Sequence, residues 1–381
     1  MTTNTSENFT NSSSASLTAS PQCTYDPDSP TEQVFKTTTS LHVFTSLHFI
    51  AYFIIMFGSL MRNVLVICVV IINRQMRTVT NYLIVNMAVA DLLITAFSMP
   101  VTIKLLVTGH MDWSNGVFSD ILCKIIPFTQ YLSIASSVLT LTAIAFDRFL
   151  AVVFPLKRYM TFQVSYGIMV VVWIVSIAVT SPFLYAQKVI MIKGEWFCME
   201  IWTPAFTEEA SKHLTIVIFV VFYLVPLLTM SLLYSFIVLK LWVRKVPGNQ
   251  TAENQRRSDK SKKKVLIMLM TVVILFALCW LPVYISQFIY FFDKENFPCG
   301  PPAVLSFMGY FLGHANSAIN PTIYAIFNSN FRKGFRDILL CRCRRNRVAP
   351  QTNVGSGIGR DGTFGGVALT RVRPRAPSNL Q

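Results

Sequence analysis

Polar side chains that can bind a cation lie inside long apolar stretches of this sequence. Asp91 stands in the middle of the apolar segment NMAVADLLI. A carboxylate in such a segment needs partners and marks a functional site. Other apolar segments offer hydroxyl or amide oxygens at Asn63, Ser137, Asn316 and Asn320. We expect Asp91, Ser137, Asn316 and Asn320 to hold a sodium ion; the alternative is a polar hydrogen-bond cluster that joins helices.

An adjacent acid and base, Asp147 and Arg148, end another apolar run, in AIAFDRFLAVVFPLKRY. Gln130, Ser137 and Arg148 are close to whole turns apart, at about 3.6 residues per turn, so they share one helix face. Gln130 to Arg148 spans about 27 Å at 1.5 Å per residue, nearly a bilayer. Arg148 therefore lies at one end of a spanning helix, where Asp147 can hold it and release it.

The segments that carry these residues predict a membrane protein. Of 381 residues, 53% are hydrophobic and only 13% charged, which is unlike a soluble domain. Apolar segments long enough to span a bilayer as helices recur along the chain. They lie at roughly residues 46–72, 80–107, 121–153, 163–185, 212–243, 265–292 and 303–327. The fold class is thus an all-α membrane protein, a seven-transmembrane helix bundle.

Basic residues mark one side of this topology. The formal net charge is +15, and it concentrates in the loop after the fifth segment and in the tail from Phe331 onward. Basic loops face the cytoplasm. We therefore expect a multi-pass plasma-membrane protein with an extracellular N-terminus and a cytoplasmic C-terminus. Its basic regions would contact membrane lipids, and no nucleic acid partner is expected.

Modification signals agree with this orientation. The sequons NTS, NFT and NSS place glycosylation acceptors at Asn4, Asn8 and Asn11. Cys341 and Cys343 follow an amphipathic segment at the predicted inner surface, which suits palmitoylation. Both ends of the chain thus carry the modifications expected of their compartments.

Four cysteines would face the oxidising exterior: Cys23, Cys123, Cys198 and Cys299. We expect a disulfide between Cys123 and Cys198, which would tie the top of the third helix to the loop after the fourth. A second pair, Cys23 with Cys299, would join the N-terminal arm to the last outer loop. The sequence leaves that second pair open.

The chain divides into a bundle and its flanking regions. The segment NSNFRKGFRDILL places apolar residues on one face and basic residues elsewhere, which predicts a short amphipathic eighth helix at the membrane interface. We predict a disordered glycosylated extracellular arm (1–44), the seven-helix bundle (45–328), the amphipathic eighth helix with its palmitoylation cysteines (329–343) and a disordered cytoplasmic tail (344–381).

These motifs resemble rhodopsin-like (class A) G-protein-coupled receptors over about residues 45–343. They are NMAVAD, DRF, Trp173, Pro226, Tyr234, FALCWLP and NPTIY, in that order. The resemblance implies a ligand-gated exchange factor for heterotrimeric G proteins. It places the activation switch at Asp147, Arg148, Pro226, Tyr234, Phe276, Trp280, Pro282, Asn320, Pro321 and Tyr324. On activation the sixth helix would move outward, and sodium at Asp91 would stabilise the inactive state as the one structural ion, with no other cofactor.

The resemblance also restricts the class of ligand. Gln130 stands where amine receptors carry an aspartate, and His314 stands where opsins carry their retinal lysine. WFCMEIW around Cys198 resembles the outer hairpin of receptors for RFamide, neuropeptide FF and neuropeptide Y peptides. This implies a C-terminally amidated peptide, bound tail-first. The ligand-binding residues would be Gln130, Tyr131, Glu200, Glu208, Glu209, Gln287, Tyr290, Asp293, Tyr310 and His314, with the acids meeting a cationic residue of the peptide.

Some residues depart from the family's pattern. Phe149 gives DRF in place of the commoner DRY. Phe291 stands where several amidated-peptide receptors carry an acid. Arg62 precedes Asn63 where the family usually has a small residue, and an intramembrane arginine must snorkel or find a partner.

Other functions remain as alternatives. A class A receptor for a non-peptide ligand comes first, followed by a membrane transporter, which would predict sequence repeats that we do not find. An enzyme is not expected, because the sequence has no Ser/His/Asp set, HExxH motif or phosphate-binding glycine loop in an accessible context. Hydroxyl residues in the tail would permit phosphorylation by receptor kinases and binding of arrestin.

Overall fold

The computed structural model of the chain describes residues 38–108, 111, 113–157, 159–192, 194–243, 251–298 and 300–340. Most of the predicted arm (1–44) and all of the predicted tail (344–381) lie outside these residues. So do several predicted modification and disulfide positions, namely Asn4, Asn8, Asn11, Cys23, Cys299, Cys341 and Cys343.

Long helices joined by short connections make up the described chain. The elements are α1 (Thr38–Ile72), α2 (Val79–Thr108), α3 (Val117–Val153), α4 (Phe162–Thr180), α5 (Pro182–Ala186), β1 (Gln187–Ile192), β2 (Glu195–Glu200), α6 (Ala210–Phe219), α7 (Val225–Val243), α8 (Thr251–Phe292), α9 (Ala303–Phe327) and α10 (Ser329–Leu339). A π-helical turn, Val220–Leu224, joins α6 to α7.

Six helical stretches of the described chain are long and apolar enough to cross a membrane. They are Ser46–Ile72, Val79–Leu105, Val117–Val153, Phe162–Ala186, Ala210–Lys240 and Lys263–Phe292. They match the first six predicted segments to within a few residues. The helix α9 coincides with the seventh predicted segment and packs against α8, α1 and α2.

Local sequence signals fix several helix ends. The side chain of Thr161 accepts a hydrogen bond from the Val164 N–H at the start of α4, at 3.3 Å. Asn328 does the same for Asn330 at the start of α10, at 3.0 Å. Both satisfy donors that a helix N-terminus leaves free. The side chains that face outward along the helices are apolar, as at Leu232, which suits contact with hydrocarbon.

A polar link through Asn86 joins three helices. The Trp173 Nε1–H donates to Asn86 Oδ1 at 2.8 Å. The Asn86 side-chain amide in turn donates to Thr140 Oγ1 at 2.9 Å. In an apolar bundle such bonds fix how α2, α3 and α4 align, although each contributes only about 0.6 kcal/mol.

A β-hairpin covers one end of the bundle, which we name the outer end after the predicted orientation; the opposite end is named the inner end. The strands β1 and β2 pair antiparallel, with Val189 opposite Cys198. Cys198 forms the predicted disulfide with Cys123 of α3. A backbone bridge between Trp113 and Trp196 holds the hairpin to the preceding outer loop. The hairpin is therefore attached at two points above α3.

The backbones of α8 and α9 lie close together at Gly309. A Cβ atom at this position would lie 3.0 Å from the backbone nitrogen of Val283 and 3.2 Å from the carbonyl carbon of Pro282. These neighbours are backbone atoms and cannot rotate away. Gly309 thus permits the contact that positions one wall of the outer cavity.

We predict that Gly309→Ala lowers the apparent midpoint of thermal unfolding, because overpacking of this kind costs about 1–3 kcal/mol. The matched control is Gly167→Ala on α4, where a Cβ would meet nothing within 4 Å. There the change should leave the midpoint unchanged or raise it, since alanine favours a helix by about 1 kcal/mol over glycine. Equal midpoints for the two variants would show that the close contact at Gly309 does not limit the stability of the fold.

Candidate functional site

A cavity of about 570 Å³ opens between the hairpin and the outer ends of α3, α6, α8 and α9. Seven of the ten predicted ligand-binding residues line it: Tyr131, Glu200, Glu208, Glu209, Gln287, Tyr290 and Tyr310. The hairpin, the end of the following loop and three helices contribute them. The disulfide and the Gly309 contact therefore both help to shape this cavity.

Aromatic rings form much of the cavity wall. Tyr131 and Phe183 stack with their centroids 4.4 Å apart and their planes 4° from parallel. Tyr290 meets the edge of Phe291 at 4.9 Å. Such surfaces offer apolar area that can receive an aromatic or aliphatic group of a ligand.

Charges of both signs line the cavity, with acids in excess. Glu200, Glu208 and Glu209 contribute carboxylates, and Lys212 and Lys294 contribute ammonium groups. Glu200 accepts a hydrogen bond from Trp202 at 2.7 Å. The Lys212 ammonium lies over the ring of Phe292 at 4.8 Å. The cavity can therefore attract a cation while also accommodating a negative or polar group.

Three predicted ligand-binding residues are not among the described residues that line the cavity. Gln130 Oε1 accepts a hydrogen bond from Ser98 at 2.9 Å. Asp293 accepts one from the Asn296 side chain at 2.6 Å, in the outer turn after α8. His314 is buried, and neither ring nitrogen has a hydrogen-bond partner in the described part of the chain. Their ligand roles stay predictions.

The sequence analysis did not select ten other lining residues. They are Phe183, Trp202, Ser211, Lys212, Thr215, Ser286, Phe291, Lys294, Pro301 and Ser306. Lys212 lies near Glu209 in the sequence, and Lys294 follows Asp293. This alternation of charge could have indicated that the two lysines belong to the same charged surface as the acids. The loop residues carry no periodic signal.

Asp91 is buried in α2 and is bound by Asn320 of α9. The Asn320 side-chain amide donates to Asp91 at 3.2 Å. Among the described residues, Ser137 Oγ, Asn316 Oδ1 and Asn320 Oδ1 are buried without a hydrogen-bond partner. Carboxylate, hydroxyl and amide oxygens are the ligands that hard cations prefer. These oxygen types suit a sodium ion, and the site of Asp91, Ser137, Asn316 and Asn320 stays a prediction.

Asn63 uses its amide elsewhere. Its nitrogen donates to the carbonyl oxygen of Ser59 at 2.9 Å and to that of Ser317 at 3.0 Å. It therefore links α1 to α9 and is not held toward Asp91.

At the inner end of α3, Arg148 is bound to Asp147. Its Nε and Nη2 donate to Asp147 Oδ2 at 3.1 and 2.5 Å. Thr80 of α2 donates to the same carboxylate oxygen at 2.7 Å and also contacts Arg148 Nη2. Sequence reasoning identified the pair but missed Thr80, which lies 67 residues from Asp147.

The remaining switch residues lie in or beside the core. Tyr234, Phe276, Trp280, Asn320 and Tyr324 are buried, and Pro226, Pro282 and Pro321 lie within α7, α8 and α9. Tyr324 Oη lies 3.9 Å from Met87 Sδ. The ring of Trp280 fills the space beside Gly313, where a Cβ would come within 2.9 Å of it.

A smaller inner cavity, about 370 Å³, is lined by Thr80, Asp147 and Arg148 together with the loop after α3. Tyr234 and Tyr324 do not line it in this conformation.

Sequence comparison finds similar receptors. The chain is 37% identical over 308 residues to a QRFP-like peptide receptor of Branchiostoma floridae, covering 79% of this chain and 78% of the relative. It is 35% identical over 332 residues to neuropeptide FF receptor 2 of Rattus norvegicus, covering 82% and 76%. It is 33% identical over 320 residues to the pyroglutamylated RF-amide peptide receptor of Mus musculus, covering 79% and 71%.

The family model described as "7 transmembrane receptor (rhodopsin family)" matches residues 62–324. That range includes Asp91, the Asp147–Arg148 pair and Tyr324, which the structure arranges along the bundle. The chain is therefore a multi-pass membrane receptor rather than an enzyme, and it belongs to the rhodopsin family of seven-transmembrane receptors.

Proposed function

We propose that the protein is a plasma-membrane receptor for an extracellular, C-terminally amidated neuropeptide, and that it activates heterotrimeric G proteins. The observation that carries the proposal is the outer cavity with its aromatic wall and its excess of acids. The similar proteins named above, which are receptors for QRFP-like, neuropeptide FF and RF-amide peptides, support the ligand class.

In this proposal α9 is the seventh span and α10 is the amphipathic eighth helix on the inner surface. At 25 residues, α9 is long enough to cross the hydrocarbon core. In α10, Phe331 is buried against the bundle while Arg332 and Lys333 are exposed. The disulfide at Cys123 belongs in an oxidising compartment, which supports an outer hairpin, an extracellular N-terminus and a cytoplasmic C-terminus.

The peptide would enter the cavity with its amidated end first. The stacked pair of Tyr131 and Phe183 suits an aromatic side chain. Glu208 and Glu209 would meet an arginine or lysine of the peptide. Because Ser98 already donates to the Gln130 oxygen, the Gln130 amide nitrogen is the group left to donate to the ligand.

The inner end would convert binding into nucleotide exchange. Release of Arg148 from Asp147 and Thr80, with an outward movement of the inner half of α8, would open a cleft lined by Arg148, Tyr234 and Tyr324. Receptor kinases and arrestin would act on the same face, and the basic inner segments would contact anionic lipids.

A sodium ion would be held by Asp91, Ser137, Asn316 and Asn320. The ion would neutralise the buried carboxylate and stabilise the resting arrangement. The unpartnered oxygens of Ser137, Asn316 and Asn320 support this assignment.

The ligand class is tested with synthetic peptides on cells that express the chain. We expect peptides ending in Arg-Phe-amide to activate it, and the same peptides with a free carboxylate to be about 100-fold weaker, because the new charge faces the acids of the cavity. Equal potency of the amide and acid forms would contradict an amide-reading site. Activation only by non-peptide compounds would favour the non-peptide alternative.

Charge substitutions test whether acids of the cavity bind a cationic residue of the peptide. Glu208→Gln and Glu209→Gln together should lower the potency of an Arg-Phe-amide peptide about tenfold, which corresponds to about 1.4 kcal/mol. Lys294→Gln is the matched control, and it should raise potency because it removes a like charge from the peptide's path. Unchanged potency in all of these variants would show that Glu208 and Glu209 do not contribute to peptide binding.

Sodium binding is tested by thermal unfolding in NaCl and in KCl at equal ionic strength. A ligand at about five times its Kd stabilises the folded state by about 1 kcal/mol. We therefore expect a higher midpoint in NaCl for the wild type and no difference between the salts for Asp91→Asn. A sodium effect that survives Asp91→Asn would place the ion elsewhere.

A further inference from the structure

Arg62 is a charged residue of α1 that belongs neither to the outer cavity nor to the inner Asp147–Arg148 site. It lies inside the apolar span Ser46–Ile72, a stretch that contains no aspartate or glutamate. Its side chain is exposed on the outside of the bundle. A cation at this depth is expensive in lipid, so such residues usually have a use.

Arg62 contacts α9 through a backbone carbonyl. Its Nη1 donates to the carbonyl oxygen of Ala318 at 3.3 Å. The next residue, Asn63, donates to the carbonyl oxygen of Ser317 at 3.0 Å. Two consecutive residues of α1 therefore donate to two consecutive carbonyls of α9.

Those carbonyls lie one turn before Pro321, the proline inside α9. Pro321 has no N–H, so the carbonyl four residues earlier, that of Ser317, loses its helical donor. Asn63 replaces that donor. The neighbouring Ala318 carbonyl accepts from Thr322 Oγ1 at 3.2 Å as well as from Arg62. In hydrocarbon an unpaired carbonyl is costly, so the Asn63 donor stabilises this shape of α9. The Arg62 bond adds a second contact between α1 and α9 at the same turn.

Gly58 leaves room for the arginine to reach α9. It lies one helical turn before Arg62, and a Cβ at Gly58 would be 3.6 Å from Arg62 Nη1. The guanidinium therefore extends along α1 over the glycine. A Cβ at this distance makes an ordinary contact, so only a side chain longer than that of alanine would compete with Arg62 for this space.

We propose that Arg62 is a positioning residue that holds α9 against α1 around Pro321 in the resting conformation, so that its loss raises ligand-free nucleotide exchange. In the proposed function this conformation is the resting one, because Arg148 is bound to Asp147. Asn320 and Tyr324 lie on the same stretch of α9, so a shift of α9 around Pro321 would move both. The inference rests on the proposed coupling to G proteins.

The experiment compares full-length variants in phosphatidylcholine nanodiscs with a purified heterotrimeric G protein. Arg62→Leu should raise ligand-free exchange about threefold, the size expected for one interhelical hydrogen bond in a membrane. It should also speed amide hydrogen exchange in residues 317–327. Leucine favours membrane insertion, so a poor yield of folded protein is not expected.

Two further variants distinguish the effect of the contact between Arg62 and α9 from the effect of the charge of Arg62. Gly58→Leu keeps Arg62 but should displace it, and it should raise exchange in the same direction. Met61→Leu is the matched control, because Met61 is 56% exposed on the same helix and should leave both readouts unchanged.

Each outcome decides one claim. If wild-type protein catalyses exchange but Arg62→Leu changes neither readout, Arg62 does not position α9 and the proposed function stands. If neither the wild type nor any variant catalyses nucleotide exchange, the proposed function fails. If Arg62→Leu still speeds hydrogen exchange in α9 in that case, the contact between Arg62 and the Ala318 carbonyl is supported. Activation by Met61→Leu as well would show a non-specific effect of lipid-facing changes and overturn the proposal.

Discussion

Hydrocarbon offers no hydrogen bonds, and this constraint governs the whole structure. Backbone groups must pair inside helices, and polar side chains must find partners between them. Asn86 meets Trp173 and Thr140, and Asn63 meets the carbonyl that Pro321 leaves free. The polar residues inside the bundle therefore mark where one helix is held against another, and these are the places where a change of state must break or exchange a bond.

The outer cavity and the inner switch depend on this arrangement in different ways. The cavity is shaped by covalent and steric contacts, namely the disulfide of Cys198 with Cys123 and the close approach at Gly309. The inner switch depends on hydrogen bonds that can exchange, from Arg148 and Thr80 to one carboxylate oxygen of Asp147. Between the two lie buried polar atoms around Asp91. In the proposed function, one end of the bundle supplies a stable binding surface and the other end supplies a reversible latch.

Much of this could be predicted from the sequence, because the relevant signals are local. Apolar length predicted seven spans, and six of them match helices of the described chain that are long and apolar enough to cross a membrane. Helical spacing placed Asp147 and Arg148 near the end of α3. What could not be predicted depends on contacts between residues far apart in the chain. Thr80 meets Asp147 only when α2 and α3 pack, and Phe183 and Trp202 reach the cavity only through loop geometry. Gln130 was expected in the cavity, but its oxygen is bound to Ser98.

The central claim is that peptide binding at the outer cavity releases Arg148 for exchange on a G protein. It is tested most directly with purified receptor in nanodiscs, where peptide affinity and nucleotide exchange are measured on the same sample. The account predicts that an amidated peptide accelerates exchange in the wild type. It predicts that Arg148→Ala binds the peptide with unchanged affinity but shows no acceleration. An Arg148→Ala receptor that still accelerates exchange as the wild type does would contradict it.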